Sequence, residues 1–157
     1  MTTALTWFAY CLRHYSQFNG RASRLEYWSF YAVVAVVGLL LLLLSPYLSS
    51  AGLIIKATWS LGVAIPHLAV MSRRLHDSEH SFWWAAPPFI GITLILFFAV
   101  GIRIHAPIAN RGGWTALIFL ALLLFWLGFI LRITYLLCKR GSAGPNAYGE
   151  PAPRAPN

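Results

Sequence analysis

The sequence predicts an all-α integral membrane protein, with four transmembrane helices and a short N-terminal interfacial helix. Three observations carry that prediction. Of the 157 residues, 59% are hydrophobic and only 10% are charged, against about 25% charged in an ordinary soluble domain. Four apolar runs reach the roughly 20 residues that a helix needs to cross a bilayer. The basic residues outside those runs fall mostly on one side of the membrane once the runs are threaded through it.

Taken in order, the first 19 residues, MTTALTWFAYCLRHYSQFN, do not form a span. Trp7, Cys11, Tyr15 and Phe18 recur at helical spacing, joined by Phe8 and Leu12, while Arg13, His14 and Gln17 fall mostly on another side. That pattern suits a short helix in the membrane interface, or one packed against the bundle. Gly20 offers a stop, and Ser23-Arg24-Leu25-Glu26 has the form of a capping box that opens the first span. The four spans are read as 27–48, 53–71, 82–102 and 114–137. Inside lipid every backbone polar group must be paired within its own segment, which requires helices for such continuous runs.

Pro66-His67 and Pro87-Pro88 interrupt the second and third spans. Ser49-Ser50-Ala51 resembles a cleavage site after the first run, but a 26-residue leader and three later spans favour an uncleaved anchor. The closing stretch, KRGSAGPNAYGEPAPRAPN, holds four of the nine prolines and three glycines, and is expected to be extended and mobile at least beyond Pro151. One membrane domain, 1–151, and a flexible tail, 152–157, result.

With both termini cytoplasmic, the inside carries eight basic residues, Arg13, Arg21, Arg24, Arg73, Arg74, Lys139, Arg140 and Arg154, and the outside carries two, Arg103 and Arg111. This is the positive-inside asymmetry of a cytoplasmic-membrane protein. Lys56 and Arg132 lie inside the second and fourth spans, close enough to their ends to snorkel. The net charge of +8 is scattered in short groups between apolar runs, which argues for lipid and against nucleic acid as the partner. Cys11 and Cys138 sit near opposite ends of the chain and form no disulfide, zinc or haem motif.

Three polar islands remain: FNGRASRLEYW at 18–28, SRRLHDSEHSFWW at 72–84 and GPNAYGEP at 144–151. Their order and wording resemble the bacterial inner-membrane family called domain of unknown function 805, whose pattern runs approximately GRxxRxEYW, then RRLHDxxxSxWW, then GxNxYGxxP. Gly20, Arg21, Arg24, Glu26, Tyr27 and Trp28 match the first element, and Arg73, Arg74, Leu75, His76, Asp77, Ser81, Trp83 and Trp84 the second. Gly144, Asn146, Tyr148, Gly149 and Pro151 match the third. Glu79, His80 and Phe82 stand where that pattern often has Gly, Arg and Gly. The resemblance implies a small multispan inner-membrane protein and supplies no activity.

The candidate site is therefore an ion network of Arg21, Arg24, Glu26, Arg73, Arg74, His76 and Asp77, with Trp28, Trp83 and Trp84 as interfacial aromatics. If the second helix continues through RRLHD, Arg73 and Asp77 form an i,i+4 pair. The network either ties helix ends together or holds lipid phosphates or an acidic partner segment. A metal at His76, Asp77 and His80 is a weak match without an HExxH context, so no metal and no cofactor are expected. The function expected is non-enzymatic: a structural or interaction protein contacting anionic lipid, a membrane-protein partner or a second copy of itself. The alternative is a small transporter using the kinked helices, with His67 as its proton-coupled residue; no Asp or Glu lies in a span interior.

Overall fold

The structure, a computed structural model, describes residues 3–85, 91, 93 and 114–152. Most of the expected third span, with Pro87-Pro88, lies outside the described residues, as do Arg103, Arg111 and Arg154. The described regular structure is helical, with three helices long and apolar enough to cross a membrane, Arg24–Tyr47, Ala51–Asp77 and Leu117–Cys138. Two compact units emerge, one built from the chain up to Ser81 with Lys139 onward, the other from Phe82–Cys138.

In the first unit, α1 (Ala4–Arg13) begins at Thr3, whose side chain accepts from the Thr6 amide. The helix closes at Arg13, before Gly20, so Tyr15 and Phe18 are exposed beyond its end rather than aligned on its face. One turn apart, Trp7 and Cys11 are buried, and the Phe8 ring stacks on Phe30 at 5.3 Å.

Ser23 caps α2 (Arg24–Leu44) by accepting from the Glu26 amide at 3.1 Å, the backbone half of the expected capping box. The Glu26 carboxylate itself turns elsewhere, as described below. A 3-10 turn at Ser45–Tyr47, with Pro46 in it, follows this helix; proline has no N–H to continue the ladder, and the Ser45 hydroxyl donates to the Leu42 carbonyl at 2.8 Å. Leu39, Leu40, Leu42, Leu43 and Leu44 are at least half exposed, a surface suited to lipid and too large an apolar patch for water.

Without a break at Pro66, α3 runs 29 residues from Ser49 to Asp77. It is longer than the expected 53–71 span, and RRLHD forms its last turns. Glu79 follows with φ 65°, a left-handed conformation that costs a side-chain-bearing residue roughly 1–2 kcal/mol relative to glycine. That accounts physically for glycine at this place in the related pattern.

The second unit holds a 3-10 turn, Phe82–Ala85, and α4 (Trp114–Cys138).

A buried ion cluster at the end of helix α3

A helix leaves its last four carbonyls without intrahelical donors, and the end of α3 is buried, so each needs a partner from elsewhere. Leu75 O accepts from the Ser78 and His80 amides at 3.0 and 2.9 Å, and Asp77 O accepts from the Ser142 amide at 3.1 Å. The Asn146 side-chain amide donates to His76 O at 3.0 Å. On the other side of the helix the Ala22 amide donates to Arg73 O at 3.0 Å, and the Ser72 hydroxyl donates to Phe18 O at 3.3 Å. The three polar islands of the sequence thus meet around one helix terminus.

Asp77 is the centre of that meeting. Arg21 Nε and Nη2 donate to its Oδ1 at 2.9 and 2.8 Å, and Arg74 Nη1 donates to its Oδ2. One carboxylate between two buried guanidiniums leaves donors over, and backbone carbonyls take them. Arg21 Nη1 donates to Gly144 O at 2.7 Å and its Nη2 to Ser142 O at 2.5 Å, while Arg74 Nη2 donates to Lys139 O. Dense pairing is what a buried ion group requires, since desolvation otherwise exceeds the Coulombic gain.

A second ion pair joins α3 to α2: Arg73 Nη1 lies 2.8 Å from Glu26 Oε1. The i,i+4 pairing of Arg73 with Asp77 is therefore replaced by Arg74 with Asp77 at i,i+3, because Arg73 points to the α2 side of the helix. The Cys11 thiol donates to the same Glu26 oxygen at 3.8 Å. Burial first, and the Glu26 charge second, push the Cys11 thiol from its ordinary 9.0 up to about 12.

A folded-state pKa above the unfolded one means that the folded protein keeps this proton while the unfolded chain loses it. Stability from Cys11 is therefore complete below about pH 9 and declines as pH rises toward 12. At pH 8 a maleimide should modify exposed Cys138 and leave Cys11 unmodified; equal labelling in the folded protein would contradict this burial.

His76 stacks face to face on Tyr148, with centroids 3.9 Å apart and planes 5° apart, and its Nδ1 sits 3.2 Å from Gly20 O. Residues 146–149 make a tight turn, in which Asn146 and Gly149 exchange backbone hydrogen bonds at 3.1 and 3.0 Å. The Tyr148 amide donates to the Asn146 side chain at 2.9 Å, and Gly149 takes the positive φ, 119°, that such a turn demands. The stretch expected as an extended tail is fixed to α3 here, with 153–157 outside the described residues.

Of the other candidates, Arg24 is exposed and Trp28 half-buried against Tyr27 and Tyr31, whereas Trp83 is 81% exposed. His67 lies ten positions ahead of Asp77, its ring about 6 Å from those of Tyr27, Phe30 and Tyr31. Residues that the sequence reading left out of the site are Cys11, Gly141, Ser142, Gly144, Asn146 and Tyr148. The last three stood in the third polar island, a signal that could have enrolled them. Gly141 carried none, although a Cβ there would collide with the Asp77 carboxylate. Among the described residues no three His, Cys, Asp or Glu side chains gather closely enough to hold a metal ion.

Comparison with known proteins agrees with this convergence of motifs. The family model described as protein of unknown function (DUF805) matches residues 15–150. The chain is 38% identical over 116 residues to the inner membrane protein YhaH of Escherichia coli K12, covering 69% of this chain and 94% of that one. It is 36% identical over 98 residues to the inner membrane protein YhaI of the same strain, covering 60% and 83%. No solved structure matches the chain. The matched span takes in all three islands that build the Asp77 cluster, and the protein belongs to the DUF805 family of inner-membrane proteins.

Proposed function

We propose that this is a non-enzymatic, four-span inner-membrane protein with both ends in the cytoplasm. In this reading the Asp77 cluster is an internal clasp, and a surrounding basic face engages an acidic segment of a membrane-protein partner or a second copy. The observation that carries the reading is the inward commitment of Arg21, Arg73 and Arg74, each buried and paired with a carboxylate. These arginines hold the fold, which leaves exposed Arg13, Arg24, Lys139 and Arg140 to meet anionic headgroups or a partner.

The same contacts support that topology. The start of α2, the end of α3 and residues 139–149 share one cluster and hence one membrane side. Since α4 ends at Cys138, next to the Lys139 carbonyl held by Arg74, the proposal has α4 cross once, starting on the opposite side. That arrangement calls for an odd number of crossings between α3 and α4, in keeping with the proposed 82–102 span. Exposed Leu5 and Leu12 support an interfacial place for α1. The transporter reading draws on His67 Nε2, which is buried without a hydrogen bond among the described residues; the missing span-interior carboxylates weigh against it.

The test is the variant Arg24→Gln/Lys139→Gln/Arg140→Gln, purified in mild detergent after cross-linking in membranes. It should melt like the wild type and lose the wild type's cross-linked partner or self-dimer. An unchanged cross-linking pattern would remove the interaction reading. In the same membranes an impermeant maleimide should reach Cys138 from the cytoplasmic side, and labelling from the opposite side would overturn the topology.

A further inference from the structure

In the second unit, α4 carries a cation within its apolar length. Arg132 lies six positions, or about 9 Å along the axis, before the helix ends at Cys138. It is exposed and has no carboxylate within ion-pair reach among the described residues. Its guanidinium carbon stands 4.5 Å from the centroid of the Trp84 ring, a cation–π contact that orients the charge without neutralising it. A charged side chain at this depth snorkels toward the interface, the level at which lipid phosphates lie.

The same face of α4 continues as an apolar groove. Leu124, Phe125, Gly128 and Phe129, with Trp84 and Arg132 at one end, line a cavity of about 450 Å³, within the roughly 300–1,000 Å³ of ligand sites. These positions recur every three to four residues, so the groove runs along the helix and along the bilayer normal. Gly128 is one of its lining residues, and a Cβ there would meet nothing within 4 Å. A cation at one end of an apolar channel complements an amphiphilic anion.

We propose that this groove binds an anionic phospholipid, its phosphate on Arg132 beside Trp84 and one acyl chain along Phe129, Gly128 and Phe125. The guanidinium offers a forked pair of donors to phosphate oxygens, and the chain fills a channel open to lipid. The lining residues all belong to the second unit.

The full-length protein, delipidated in mild detergent and offered phosphatidylglycerol or phosphatidylcholine, provides the test, with bound lipid counted by native mass spectrometry. The wild type should prefer phosphatidylglycerol. Arg132→Gln should lower its retention roughly tenfold, equivalent to ~1.4 kcal/mol, to the level of phosphatidylcholine. Gly128→Leu, which adds atoms to open space, should fold and reduce retention of both lipids. Arg24→Gln/Lys139→Gln/Arg140→Gln removes headgroup contacts of the basic face, and adding Arg132→Gln to it should lower phosphatidylglycerol retention by a further roughly tenfold, which separates the two sites. Soluble glycerophosphate should fail to displace the bound lipid. No preference in the wild type, unchanged retention in Arg132→Gln, or displacement by glycerophosphate would each overturn the proposal.

Discussion

Asp77→Asn is expected to be the most damaging single substitution in the described chain. The amide keeps the size of the carboxylate but leaves Arg21 and Arg74 buried with no anion between them. Breaking a buried ion pair by removing one partner costs about 3–5 kcal/mol, and here two cations lose the same partner. At ~2–4 °C per kcal/mol for a chain of this size, the detergent-solubilised protein should melt about 10 °C lower. The backbone carbonyls of Ser142 and Gly144 would still accept from Arg21, so the loss should centre on the carboxylate. A melting temperature within about 2 °C of the wild type, the shift expected for at most about 1 kcal/mol, would show that Asp77 does not hold the cluster.

Gly141→Ala should reach the same cluster from the opposite side. The added methyl would overlap the Asp77 carboxylate, so either the 139–149 segment lifts or the carboxylate leaves Arg21. Forcing atoms into a packed site costs roughly 1–3 kcal/mol. Gly144→Ala, three residues later, meets open space and should be nearly silent. Because both damaging changes break one cluster, their costs should not add: neighbours sharing partners couple by roughly 0.5–3 kcal/mol. Full additivity in the Asp77→Asn/Gly141→Ala double variant would separate the two effects and refute the shared clasp.

These expectations depend on contacts that the sequence did not order. Hydrophobic run length was sufficient to place α2, α3 and α4, because the cost of an unpaired backbone group in lipid makes a long apolar run helical whatever its neighbours. The capping signal at Ser23 was equally legible, since it acts within three residues. Pro66 lies inside a continuous helix, as the 53–71 span required, because a membrane helix tolerates a proline. Gly20 misled as a helix stop, because α1 had already ended at Arg13.

The candidate site was legible as composition and not as pairing. Arg21, Glu26, Arg73, Arg74 and Asp77 could be named because charges are rare in this chain and cluster in two short stretches, whereas Arg24, named with them, is exposed. Which guanidinium meets which carboxylate was not readable. Arg73 and Arg74 are adjacent and chemically identical, and neighbouring helical positions point about 100° apart. Only the side on which α2 lies sends Arg73 to Glu26 and leaves Arg74 to Asp77.

Local composition and the energetics of burying polar groups in lipid thus made readable from the chain alone a membrane setting, helices long and apolar enough to cross it, and the stretches where charge is concentrated. The tertiary structure decided that Ser142, Gly144 and Asn146 return across more than sixty residues of chain to the end of α3. It also decided that Gly141 must lack a side chain and that Arg21 and Arg74 share one carboxylate. Those facts depend on separations between distant segments, which no local pattern encodes.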